Sequence, residues 1–202
     1  MGFEDSLGEL ANMDIKKYLE ENEYKNLFDV IEENNFGHDF DYKDGHYRLK
    51  VKFMNKSQNP DPEYTSTGNS GFDLRANLSG DAYPENELII PAGKIALVPT
   101  GLFFEFPEGF EMQIRPRSGM AIKFGITVLN TPGTIDADYR GEVQIIIYNT
   151  GAVGDFKIAN GDRIAQAVIT AVSSKNTINF QKVSALSETD RGEGGFGHSG
   201  VK

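Results

Sequence analysis

The chain has 202 residues, 39% of them hydrophobic, enough for one domain and an appendage, and no cysteine, which excludes disulfides and thiolate zinc sites. Its net charge is −10, and its only histidines, His38, His46 and His198, are scattered, which excludes a zinc-dependent deaminase. No run of about 18 apolar residues is present, and the acidic start MGFEDSLGEL lacks a basic-then-apolar leader, so a soluble, intracellular, cytoplasmic protein without a membrane span is expected.

The acidity is concentrated at the N-terminus. Residues 1–47 carry 13 acidic and 4 basic side chains, residues 48–202 carry 17 and 16. With no basic stripe, a polymeric nucleic acid is not an expected partner. Residues 1–45 place Leu7, Leu10, Ile15, Tyr18, Leu19, Leu27, Phe28 and Ile31 at roughly three- and four-residue spacing among charges, the pattern of an amphipathic helix. Gly37 reads as a stop and Asp44-Gly45 as a turn. Such an acidic helical extension either packs on the domain, with one face solvated, or docks a protein partner.

From Arg48 the period becomes two. Leu49, Val51 and Phe53 alternate with Lys50, Lys52 and Met54, a half-buried strand. Short β-rich runs follow at 88–90, 95–98, 102–106, 110–114, 126–129, 143–148, 156–158, 164–172 and 178–180, punctuated by glycine and proline. This predicts an all-β sandwich, jelly roll or barrel. No long helical pattern separates the runs and no GxxxxGK[ST] occurs, so any phosphate site must be built from loops on a β scaffold.

Five segments set polar groups at turns. In Ser70-Gly71-Phe72-Asp73-Leu74, Asp73 sits between apolar residues and faces the other way, as a surface residue or as a holder of a magnesium-bound water. In Arg115-Pro116-Arg117-Ser118-Gly119, Pro116 stiffens the approach, Gly119 admits close backbone contact, and Arg117 and Ser118 can donate to a polyphosphate. In the stretch 130–141, Pro132-Gly133 reads as a tight turn. Asn130 offers a donor and an acceptor to a base edge, Asp136 can orient and deprotonate a water, and Tyr139 can lie flat on a sugar. Asp138 and Arg140 read as an ion pair. In Gly161-Asp162-Arg163-Ile164-Ala165-Gln166-Ala167, a turn enters a strand; Asp162 and Arg163 read as a surface pair and Gln166 as a phosphate contact. The fifth segment, 191–200, surrounds Arg191, Phe196 and Ser199 with glycines. It reads as a frayed terminus or as an arm that closes over an anion and a ring.

In this order and wording the five segments resemble the motifs of the trimeric dUTP diphosphatase (dUTPase) family, over about three quarters of the chain. The resemblance implies a β jelly roll of residues 48–188 with an N-terminal helical extension, 1–47, and a glycine-rich arm, 189–202, that closes over a neighbouring subunit. It implies a homotrimer with three shared sites that hydrolyses dUTP to dUMP and diphosphate, keeping uracil out of DNA and supplying dUMP for dTMP synthesis. By the same resemblance Asp136 activates the water that attacks the α-phosphorus. Asn130 and the backbone of Gly133, Thr134 and Ile135 read uracil, and Tyr139 packs under the deoxyribose and rejects UTP. Arg117, Ser118, Gly119 and Gln166 hold the phosphates, with Arg191 reaching the γ-phosphate. Phe196 stacks on uracil, while Gly197 and Ser199 complete the arm's contacts. Mg²⁺ is the implied cofactor, sitting on the triphosphate and meeting Asp73 only through water.

Two departures stand out. The family arm commonly ends Gly-Phe-Gly-Ser-Thr-Gly, whereas this chain has His198 before Ser199, so substrate affinity is expected to vary mildly between pH 6 and 8. Residues 1–47 lie outside the family core. The related dCTP deaminases carry a catalytic glutamate where this chain has Ile146, which cannot shuttle protons. A nucleotide-gated regulatory protein that uses the N-terminal helix is the alternative from another class.

Overall fold

The computed structural model describes residues 39–43, 46–83, 85–173 and 178–195. Among these, strands alternate their side chains between core and outer face as the period-two pattern requires. In β4 (Phe72–Arg75) Phe72 and Leu74 are buried, while Asp73 and Arg75 are not. In β11 (Gln144–Asn149) Ile145, Ile147 and Asn149 turn inward.

The main sheet has four antiparallel strands in the order β10 (Gly133–Asp136), β8 (Phe110–Arg115), β13 (Arg163–Ala171) and β4. A second sheet runs β6 (Ile95–Pro99), β11, β9 (Ile126–Val128). Two-stranded ladders join β12 (Phe156–Ala159) to β5 (Glu87–Ile90) and β3 (Lys52–Asn55) to β7 (Leu102–Glu105). Their inner faces share one core that includes Leu74, Ile90, Val98, Met112, Val128, Ile147 and Ile158. Two polar side chains enter it fully bonded. Asn149 donates to the carbonyls of Ile90 and Gly154 and accepts from Gly151 N–H, while the Thr100 hydroxyl donates to Val143 O. The one short helix among the described residues, α1 (Ser118–Phe124), buries Met120 and ends at Gly125, whose φ of 66° is left-handed. No helix among them is long and apolar enough to cross a membrane.

The all-β expectation stands, and most of the expected runs are strands. Three local readings change. Residues 1–38 of the expected N-terminal helix lie outside the described residues, but Phe40–Lys43, within the same helical reading, is strand β1, paired with β2 (His46–Leu49) from Phe40↔Leu49 to Lys43↔His46. Phe40 and Tyr42 alternate with Asp41 and Lys43, and that local period overrides the helical one upstream. The expected Asp44-Gly45 turn falls between these strands, outside the described residues. The strand expected over 49–54 breaks at Lys50-Val51, because β2 pairs with β1 whereas β3 pairs with β7. Phe53 is left 41% exposed. Residues 178–180 form no strand. They belong to a second compact unit, 173–202, distinct from 1–172, and no described residue of it is strand, so Phe180 has no ladder to join and is 94% exposed.

Candidate active site

The first, second and fourth segments meet at one end of the main sheet. Gln166 of β13 lies directly between Asp73 of β4 and Arg115 of β8, on the outer face. The Gln166 amide donates to Pro116 O at 2.9 Å, which ties the strand to the turn that leads into α1. Arg117 ends that turn, and its Nε donates to Asp73 Oδ1 at 2.8 Å. Arg163 Nη1 donates to Asp73 Oδ2 at 3.1 Å. Ser118 and Gly119 open α1 on the exposed side. At Gly119 a Cβ would meet nothing within 4 Å, so the chain itself does not require glycine there. A polar cavity of about 410 Å³ adjoins this end, lined by Glu63, Thr65, Asn69, Ser70, Asp73 and Gln166 among others. Beside it Tyr64 packs edge-on against Phe72, and burial pushes its phenol pKa up.

The third segment lies across β8 from that cluster, with Gly133 opposite Ile114 and Asp136 three rungs further on, opposite Glu111. After β9 the chain passes Asn130 and a cis Thr131-Pro132 bond, then enters β10 at Gly133. The expected tight turn at Pro132-Gly133 is thus the start of a strand. The Asn130 amide lies over Gly133, where a Cβ would come within 3.0 Å of Nδ2. Thr134 and Asp136 point to the exposed face and Ile135 packs on the core. Tyr139 folds its ring over Gly141, and its hydroxyl donates to Glu142 O at 2.9 Å. Arg140 does not pair with Asp138. Its guanidinium donates to the carbonyls of Ala137 and Tyr139 and lies 3.9 Å from Glu105, which reaches across from β7. The Lys52 ammonium beside Glu105 holds its carboxyl below the ordinary carboxylate range. Nor is Arg163 paired with Asp162; the Asp162 carboxylate accepts the Ala159 N–H while Arg163 turns to Asp73.

Within one chain Asp136 and Gln166 are held apart. Asp136 stands opposite Glu111 and Gln166 opposite Arg115, four residues further along β8. At ~3.3 Å per residue that separates them by about 13 Å along the strand, with β8 between them. The phosphate-type donors and the Asp136–Tyr139 group occupy opposite ends of one sheet. In the second unit Arg191 Nε donates to Gly194 O within a glycine turn. Phe196, Gly197, His198 and Ser199 lie outside the described residues. Sequence reasoning missed two residues that shape these clusters. Arg163 was assigned to the wrong aspartate, and Gly141 carried no signal of its own.

A dUTPase family profile matches residues 57–200. The chain is similar to the deoxyuridine 5′-triphosphate nucleotidohydrolase of Finegoldia magna, 47% identical over 152 residues that cover 75% of this chain and 99% of that one. It is 54% identical to the enzyme of the same name from Rhizobium etli over 140 residues, 69% of this chain and 85% of that one. In fold it is similar to a Staphylococcus bacteriophage 80alpha dUTPase solved with dUpNHpp, with a TM-score of 0.65 at 24% identity, covering 75% of this chain and 99% of that one. A dUTPase from S. aureus phage phi11, described with a structural Mg(II) ion, aligns with a TM-score of 0.59 at 20% identity over 69% of this chain and 99% of that one. On the family match and these relatives, the chain belongs to the dUTPase family and is a dUTP diphosphatase.

Proposed function

We propose that the chain hydrolyses dUTP in sites shared between copies of a homotrimeric jelly-roll assembly, with Asp136 as the base. The observation that carries this reading is the division of polar groups between the two ends of the main sheet. A second copy that brings its Arg117–Gln166 end against the Asp136–Tyr139 end of the first completes the constellation that neither end has alone.

In that arrangement Asn130 and the backbone of Gly133, Thr134 and Ile135 meet the uracil edge. The Tyr139 ring lies under the deoxyribose, where a 2′-hydroxyl has no room. Arg117, Ser118, Gly119 and Gln166 hold the phosphates, and the arm closes with Arg191, Phe196, Gly197 and Ser199. The Asp136 carboxylate takes a proton from a water. The water oxygen bonds to the α-phosphorus as the bond to the bridging oxygen breaks, and diphosphate leaves from dUMP. Most of the rate comes from positioning and charge neutralisation. In the cell this reaction keeps uracil out of DNA and supplies dUMP.

The donor set bears on the metal. Among the described residues no three His, Asp or Glu side chains converge, and each Asp73 oxygen already accepts an arginine N–H. That fits a cation carried in on the triphosphate and met by Asp73 through water rather than one resident in a protein cage. Held there, Mg²⁺ would neutralise phosphate charge.

The test is Asp136→Asn, supplied with Mg²⁺ and dUTP, UTP, dTTP or dCTP in separate reactions. The parent should yield dUMP and diphosphate from dUTP alone. The variant should lose at least about 10²-fold in turnover, the range of general-base catalysis, while binding dUpNHpp as the parent does. Near-parental turnover would remove Asp136 from the role.

A further inference from the structure

Four charged side chains crowd the phosphate-type end of the main sheet. Arg75 and Arg163 are cross-strand partners on β4 and β13, and Arg117 arrives from the turn before α1. Like charges directly opposite on a sheet repel. Asp73 answers them, with Arg117 on Oδ1 and Arg163 on Oδ2. Its side chain is 26% exposed, Arg117 is 27% and Arg163 48% exposed. Arg75 turns its Nη1 to Gly161 O, so one carboxylate meets two guanidiniums and the trio is net positive, as an anion site requires.

A backbone feature aims Arg163 at this carboxylate. The register of β13 against β4 slips between Arg163 and Ala165, a β-bulge. Ile164 and Ala165 are both buried in consequence, and Arg163 comes to the outer face. Arg117 is also fixed from a second direction. Its Nη1 donates to the Arg163 carbonyl at 3.1 Å, so two of its three nitrogens are spent within the protein. Nη2 has no hydrogen bond among the described residues and is left to meet a ligand oxygen.

We infer that Arg163 is a positioning residue for the triphosphate: it holds Asp73, which with the Arg163 carbonyl locks the Arg117 guanidinium so that its free edge faces the phosphates. The inference rests on the dUTP diphosphatase reading of this site. It makes Arg163 act through Arg117, not through a contact of its own, and it confines the effect to nucleotides whose β- and γ-phosphates reach this end of the sheet.

The experiment is a double-mutant cycle read by calorimetric binding of dUpNHpp with Mg²⁺, using the full chain as parent, Arg163→Gln, Arg117→Gln and the double variant, with dUMP as second ligand. Arg163→Gln should weaken dUpNHpp binding about tenfold, as loss of a hydrogen bond that orients a charged group does, and leave dUMP within about twofold. In the Arg117→Gln background the same change should cost almost nothing further. Additive losses would mean that Arg163 acts independently of Arg117, and equal losses for dUMP and dUpNHpp would mean a general disturbance of the fold; either overturns the inference. If Arg163→Gln does not fold, Arg163→Lys takes its place in the cycle. It should give a smaller loss that again vanishes without Arg117, because an ammonium reaches the carboxylate but lacks the planar fork. A parent that neither binds dUpNHpp nor turns over dUTP would defeat the site reading itself. A parent that does both, beside an Arg163→Gln protein of equal affinity, would defeat only the role of Arg163.

Discussion

Gly141 shows how a residue with no chemistry of its own governs one that has it. Its φ is unremarkable, but a Cβ there would fall 2.5 Å from Tyr139 Cζ, inside any tolerable contact, so the ring can fold back only over a bare backbone. Gly141→Ala should push the ring outward and open the space proposed to exclude a 2′-hydroxyl. The preference for dUTP over UTP, read from the two kcat/KM values, should fall by about 10-fold or more while dUTP is still hydrolysed. An unchanged preference would show that the ring does not set sugar selection. Asp136, Asn130 and Tyr139 are candidates in the sequence because each side chain advertises a chemistry. The partners of Arg140 and Arg163 were not. Sequence neighbours suggested Asp138 and Asp162, whereas Glu105 and Asp73 arrive from distant strands.

At the level of elements, alternation carried most of the fold, because a strand with one face in the core must repeat every second residue. Helix α1 escaped, being seven residues between Pro116 and Gly125, too short to show a helical period. β10 was hidden for the opposite reason: its Pro132-Gly133 approach has turn chemistry, yet the residues after it pair with β8. The end of α1 can be tested directly. Gly125 has a left-handed φ of 66°, and an added Cβ would lie 2.7 Å from Ala152 Cβ and against the Thr150 hydroxyl. Gly125→Ala should therefore destabilise the fold by about 1–3 kcal/mol, the cost of such strain, seen as a lower urea midpoint at unchanged slope. A midpoint equal to the parent's would show that the turn relaxes freely.

On the scale of the whole molecule, the β architecture was legible while the division of labour within it was not. The five segments read as one list of site residues, but the sheet register puts Asp136 and Gln166 about 13 Å apart along β8, and only pairing shows that. The family match begins at residue 57, so the β1–β2 hairpin lies before it. That hairpin touches the matched region through Phe40, whose ring meets Phe110 edge-on at 6.2 Å. Residue 110 is the first of β8, one step from the rung that Asp136 occupies.

The separation of the two clusters has a genetic corollary. If each centre borrows one cluster from each of two copies, a lesion belongs to a half-centre and not to a polypeptide. Asp136→Asn and Arg117→Ala chains, each inert alone, should then rescue one another when unfolded and refolded as an equal mixture. Random assortment gives about a quarter of the centres both intact halves, and dUTP hydrolysis should return to about that fraction of the parental rate. A mixture as silent as its components would place both halves within a single copy.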